Sequence, residues 1–344
     1  MISCKEKNSF FFLFLILFAF NLYGQDAHFS QFYANPLYLN PAFAGTNNCP
    51  RFAINFRDQW PAIKGDFKTF SGSYDQYISA IRSGIGVLVI GDIAGNGILS
   101  SYNASAIYNF RIQVTHKFNL QFAIQGGYLA NSFNWEKIQY ASEIIDSYKP
   151  NYQPEYIVDD IIRSQFDAAF GLVGYTSYLY FGMAIHHLFP VQISFFRSSS
   201  EDKFKTIWEP KWTAHFGGKI TVSQKNKTEV SNGDIFFYPN LVFISQGNFN
   251  YLHEGFYFNF YPLTVGAWMR HNFKNLDAFI LSCGIEYKLL RVGYSYDFTL
   301  TKLEGTGGAH EVSLQITVPC NNDKGIPTKQ KKRKYSTPIE CPKF

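Results

Sequence analysis

From Arg51 to about Val318 the chain divides into about 14 segments in which apolar side chains recur at every second residue. They lie near 51–58, 67–78, 83–91, 100–112, 118–130, 164–176, 178–188, 211–222, 234–246, 251–261, 263–271, 277–287, 289–298 and 310–318. In the last of them Val312, Leu314, Ile316 and Val318 share one face, and Glu311, Ser313, Gln315 and Thr317 share the other. Val292, Tyr294, Tyr296 and Phe298 likewise oppose Arg291, Gly293, Ser295 and Asp297, and Leu179, Phe181, Met183 and Ile185 oppose Tyr180, Gly182, Ala184 and His186. Such patterning predicts strands with one apolar and one polar or small face. Each segment is close to the ~9–11 residues that a tilted strand needs to cross a bilayer.

A soluble sandwich would show the same alternation, so composition and loop length have to separate the two. Charged residues make up only 17% of the chain and aromatics 19%, including 36 Phe and 23 Tyr; a soluble domain carries about 25% charged residues. After the first two dozen residues no window reaches the ~18 consecutive apolar residues of a spanning helix, so any membrane crossing is by strands. Connections after odd-numbered segments include the long stretches 131–163 and 189–210 and the Gly-rich 299–309. Those after even-numbered segments are mostly brief, as at 176–177 and around Pro262, with 223–233 the longer exception. Long outer loops and short periplasmic turns are the asymmetry of outer-membrane barrels. Lipid cannot satisfy an open sheet edge, so such strands must close on one another. The expected fold is an all-β, transmembrane antiparallel barrel of about 14 strands, and the absence of a constant-period repeat argues against propellers and solenoids.

Four parts follow. Residues 1–24 read as a signal peptide: Lys5 and Lys7 precede the apolar run Phe10–Phe20, and Gly24 precedes an expected cut at Gln25. Residues 25–50 contain Phe29–Gly45, reading FSQFYANPLYLNPAFAG, which is aromatic yet broken by Asn35-Pro36 and Asn40-Pro41. It can be neither a continuous helix nor a central strand, and its apolar side chains need an enclosing wall. It is expected to plug the lumen as a hatch, either movable or a passive filler. Residues 51–318 form the barrel and 319–344 a basic periplasmic tail.

The hatch or partner-binding candidates are Asn35, Pro36, Asn40, Pro41 and Gly45, with Gln59 and Trp60 at the outer rim, where Trp60 either joins the aromatic girdle or touches the hatch or a ligand. Arg291, Asp297 and Glu311 lie on polar faces of neighbouring strands and are expected to pair and hold the lumen rigid, with a transport site as the alternative. His310 and the pair His186–His187 lie at strand ends, as membrane-interface residues rather than ligands. Lys331, Lys332, Arg333 and Lys334 are either a solvated run or a docking site for a periplasmic partner. In an exported chain, Cys320 and Cys341 bracket the tail and form the expected bridge, with Cys49 as a substitute partner, while Cys283 falls in phase with the outer face. No zinc-type Cys/His spacing, G-x-S-x-G elbow, Walker loop or H-E-x-x-H is present, so no metal, cofactor or catalysis is expected. The net charge of +5 includes the leader and the tail, and nothing in it points to nucleic acid.

Taken together, FSQFYANPLYLNPAFAG at 29–45, RDQWP at 57–61, GYSYDF at 293–298 and GGAHEVSLQ at 307–315 resemble the PorP/SprF family of outer-membrane proteins. The resemblance runs over essentially the whole mature chain. It implies a barrel similar to the fatty-acid transporter FadL within the type IX secretion and gliding-motility machinery of Bacteroidetes. It also implies a role in secretion or surface anchoring of an adhesin-like partner recognised through its C-terminal domain, together with contacts to periplasmic secretion or motility components. A channel for hydrophobic or small solutes is the alternative.

Overall fold

A computed structural model describes residues 26–47, 49–134, 137, 161–189, 191–192, 207–224, 233–301 and 304–320. Fourteen strands form the wall: β1 Arg51–Gln59, β2 Phe67–Ile78, β3 Ser83–Ala94, β4 Leu99–Thr115, β5 Phe118–Phe133, β6 Ile161–Tyr175, β7 Leu179–His186, β8 Lys211–Gly218 continuing through Ile220–Ser223, β9 Ile235–Gln246, β10 Phe249–Phe260, β11 Leu263–Asn272, β12 Asn275–Tyr287, β13 Leu290–Thr299 and β14 Ala309–Thr317. Each pairs antiparallel with its sequence neighbours, β1 closes on β14 from Arg51↔Thr317 to Gln59↔Ala309, and β8 joins β7 to β9, so no edge is left in lipid.

The expected segments and the observed strands agree in number and order. Three of them, β4, β5 and β6, run to 17, 16 and 15 residues, longer than the alternation predicts. The added residues are 131–133 of β5 and 161–163 of β6, which pair with each other at the outer rim, and 113–115 of β4, which pair with Phe118 and Asn119 at the periplasmic end, so strand pairing continues beyond the alternating segments at both rims. Strand β8 is interrupted at Lys219, opposite Pro239 and Tyr238 of β9. Proline has no N–H to give to a ladder, so pairing lapses there and resumes at Ile220↔Phe237.

The wall is apolar outside and polar inside, the reverse of a soluble protein. Ile54, Ile124, Met183, Ile285 and Val292 are exposed, whereas Asn55, Ser71, Asn109, Gln121, Ser295 and Glu311 are buried. No helix among the described residues is long and apolar enough to cross a membrane. Cys283 is exposed on the outer face, in phase with Leu281 and Ile285.

Residues 26–46 run through the lumen, from the outer ends of β7 to β9 down to the periplasmic end of β3. Their aromatic and aliphatic side chains, among them Phe29, Phe32, Tyr33, Leu37, Leu39 and Phe43, are buried against Trp268, Tyr257, Tyr238 and Tyr180 of the wall. The two prolines shape this path. Pro36 starts a single α-turn, Pro36–Leu39, and Pro41 starts a 3₁₀ turn, Pro41–Phe43. In both, proline takes the first helical position, where its missing N–H costs nothing.

Cys320 is bonded to Cys49 rather than to Cys341. Cys49 precedes β1 and Cys320 follows β14, and because these strands pair across the barrel closure their ends meet despite a separation of 271 residues. Cys341, like residues 1–24 and Lys331, Lys332, Arg333 and Lys334, lies outside the described residues.

Candidate functional site: the plugged lumen

Four sets of contacts hold the lumenal segment, at successive depths. The outermost is at Asp26. Its carboxylate meets Lys211 Nζ at 2.5 Å and His187 Nε2 at 3.0 Å, and its backbone N–H donates to Gln246 Oε1 at 2.9 Å. His187 is held in turn by Asp167 at 3.1 Å. Burial alone would raise the Asp26 carboxyl, but the positive charges of His187 and Lys211 outweigh it and hold the group well below the usual carboxylate range. For His187 burial acts downward, yet the carboxylate of Asp26 and hydrogen bonds to Asp167 and Asp26 bring it up to about 9. Nearby, His28 Nε2 and His253 Nε2 are 3.0 Å apart in a stacked pair.

Below this is a charged knot at the β1–β14 closure. Glu311 accepts the backbone N–H groups of Ser30 and Gln31 at 2.7 and 3.0 Å. Ser30 Oγ donates to Asp297 at 2.7 Å and accepts from Arg57 Nη1 at 2.9 Å. Arg57 bridges Asp297 at 2.8 Å and Glu311 at 3.2 Å, all three being at most 1% exposed, and Arg270 joins Asp297 at 3.1 Å to Asp277 at 2.5 Å. Gln31 completes the knot through Ser295 and Ser313.

The two asparagines serve the third set. Asn35 Nδ2 donates to Ser71 Oγ at 2.8 Å. Asn40 Oδ1 accepts from Ala42 N at 2.9 Å, capping the 3₁₀ turn, while its Nδ2 reaches the carbonyls of Leu172 and Met183 at 3.1 and 3.0 Å. The fourth set closes the periplasmic end: Gly45 N–H donates to Asp75 at 2.8 Å, and Asp75 pairs with Arg51 at 2.7 Å. Gly45 has φ +69°, and a Cβ there would come within 2.7 Å of Gly84 Cα, so only glycine fits.

The candidate residues thus come together unevenly. Asn35, Pro36, Asn40, Pro41 and Gly45 all lie within the plug. Gln59 accepts from Arg57 at 3.4 Å, and Trp60 stacks edge-on with Phe67 at 5.4 Å while bonding Gly308 through its backbone. Both line an outer cavity of about 280 Å³ whose walls include Phe29, Phe32, Tyr38 and Tyr251. Asp297 and Glu311 share one network, but Arg291 is not their partner. It pairs with Glu286 at 3.1 Å, because six residues along one strand, about 20 Å, separate it from Asp297. The partners are Arg57 and Arg270, in phase with the lumenal face of β1 and β11; that phase was the one sequence signal that marked them. His187 turns inward to the Asp26 cluster rather than lying at the membrane interface, and His186 is buried beside it. His310 faces outward against Tyr294 at 2.8 Å. Lys211, Asp167 and Asp75 also fall in the lumenal phase of β8, β6 and β2, and nothing further in the sequence marked them; Asp26 carried no local signal. Among the described residues no group of three or more His, Cys, Asp or Glu is placed to hold a metal.

A closed 14-strand barrel, apolar outside, with its own N-terminal segment filling the lumen, is an outer-membrane β-barrel protein. The chain belongs to the family described as type IX secretion system membrane protein PorP/SprF, whose model matches residues 21–316, most of its length. The closed barrel and the family together make it a protein of the outer membrane. Among solved structures it is similar to the toluene transporter TbuX of Ralstonia pickettii (9% identity, TM-score 0.44, 82% of this chain and 93% of that one). It is also similar to CymD, a monoaromatic hydrocarbon channel (11%, 0.43, 86% and 96%), and to a Pseudomonas aeruginosa FadL homologue (9%, 0.40, 78% and 90%). A search of curated proteins finds no match.

Proposed function

We propose that this barrel is a non-enzymatic component of the type IX secretion system that assists secretion or surface anchoring of an adhesin-like partner recognised through its C-terminal domain, with a link to gliding motility. The observation that carries this reading is the plug itself. Because residues 26–46 occupy the lumen at four depths, the outer mouth is the surface left for a partner, and the expected outer loops 131–163 and 189–210 belong to the same reading. In the same reading residues 1–24 are cleaved, and the tail with Lys331, Lys332, Arg333 and Lys334 meets periplasmic components of the system. The test is deletion of the gene followed by comparison of surface proteins. One adhesin unsecreted or shed supports the reading; an unchanged surface proteome refutes it.

A second reading, a channel for hydrophobic or small solutes, is favoured by the aromatic outer cavity of about 280 Å³. It requires conductance in planar bilayers that grows when residues 29–45 are removed, and no conductance with no uptake defect dismisses it.

A further inference from the structure

A second cavity, of about 60 Å³, lies on the other side of the Asp26–Lys211–Tyr38 contacts, at the outer end of the lumen between β3 to β7 and Trp208. It has room for roughly four water-sized groups. Three of its lining side chains are deeply buried and lack any partner for a polar atom: Gln125 Oε1, His186 Nε2 and Trp208 Nε1, at 7%, 6% and 8% exposure. Asn103 Oδ1, also in the lining, is unpartnered too. Buried polar groups are rarely left without a partner, so such a cluster marks a place where something else binds.

The charges indicate what that is. Lys211 and His187 are taken up by Asp26 and Asp167. Asp92, also in the lining, meets the Thr69 hydroxyl at 2.6 Å and, among the described residues, no cation. Three acceptors, the Asp92 carboxylate, Asn103 Oδ1 and Gln125 Oε1, therefore wait for donors beside an apolar flank of Leu88, Leu129 and the Trp208 ring. A compact cation on an aliphatic stem matches that division, with its head on the acceptors and its stem along the flank. The unused indole N–H of Trp208 calls in addition for an acceptor on the same ligand. A polyamine has none, whereas a residue in a polypeptide carries its own carbonyl.

We propose that this cavity is a socket for a lysine side chain of a polypeptide bound at the outer mouth, with Asp92 as its counter-ion. It deepens the proposed function, since it gives the partner's docking surface a chemical requirement. Its test does not depend on secretion. Detergent-purified full-length protein is titrated calorimetrically with Gly-Gly-Lys-Gly-Gly, with Gly-Gly-Gln-Gly-Gly, with n-butylamine and with spermidine. Saturable binding of the lysine peptide, at least tenfold tighter than the glutamine peptide and at least tenfold weakened by Asp92→Asn, is expected, with Glu254→Gln on the outer wall unchanged as a control. Folding of the Asn variant is checked by heat-modified gel mobility, and Gln125→Leu serves as a second variant should it fail. Weaker binding of spermidine and butylamine than of the lysine peptide supports the polypeptide; tighter binding of spermidine overturns that source. Absence of saturable lysine-peptide binding, or equal binding by wild type and the variants, overturns the socket while leaving the secretory reading to its own test.

Discussion

Replacing Arg57 with methionine tests what holds the plug. Arg57 is buried with its two carboxylate partners, at 2.8 Å from Asp297 and 3.2 Å from Glu311, and also donates to Ser30 of the plug. Methionine keeps the volume of the stem but leaves Arg270 alone against Asp297, Glu311 and Asp277. Removing one partner of a buried ion pair costs about 3–5 kcal/mol, chiefly because the remaining charge is stranded. Strand pairing runs around the whole circumference of the barrel, so the cost falls on the weaker element, the docked segment Ser30–Gln31. At 1.4 kcal/mol per tenfold, its opening equilibrium shifts by roughly two to three and a half orders of magnitude. Hydrogen exchange by mass spectrometry reads this as accelerated exchange in a peptide covering residues 29–34, with strand peptides and heat-modified gel mobility unchanged. Adding Asp297→Asn and Glu311→Gln should recover part of the protection, since the stranded charges are then gone. Exchange in that peptide within about threefold of wild type would show that apolar packing alone docks the plug, and the electrostatic account would fall.

Three further outcomes follow from the same contacts. Gly45→Ala should loosen the periplasmic end of the plug by more than ~1 kcal/mol, because of its positive φ and the 2.7 Å approach to Gly84, whereas Gly72→Ala, which meets nothing within 4 Å, should be neutral; equal unfolding temperatures for the two would contradict this. Non-reducing peptide mapping should recover residues 49 and 320 in one cross-linked fragment with Cys341 alkylated, and a 320–341 fragment would refute the pairing. The Asp26–His187 contact should hold in a window of pH. His187, raised to about 9, contributes fully below its ordinary value and loses that contribution as pH rises through about 9, whereas Asp26, lowered, contributes above its ordinary value and loses it only as pH falls well below that. An imidazole resonance of labelled His187 titrating near 9, and lower in Asp26→Asn, is the expected observation; an ordinary midpoint in the wild type refutes it.

Much of the barrel was legible in one dimension. A strand exposes alternate residues to lipid and lumen, so the period-two pattern alone located all fourteen strands, their facing and the face of Cys283. The need to close in lipid then left one topology for them. The two Asn-Pro pairs similarly announced a broken, enclosed segment, since proline excludes the two regular structures a chain could otherwise adopt. What the alternation could not convey is which lumenal residues meet. Arg57 finds Glu311 across 254 positions and Asp26 finds Lys211 across 185, and those meetings depend on register around the whole circumference. The same holds for Cys49 and Cys320, whereas Arg291 is kept from Asp297 simply by their spacing along one strand.

Alternation, proline and composition thus determined by themselves that the chain would be a lipid-facing cylinder around its own N-terminal segment, because these constraints act within a few residues. Closure of the sheet decided the rest: it set the order of charges across the lumen, the four depths at which the plug is held and the cavity left beside it, since only a closed ring brings the first strand against the last.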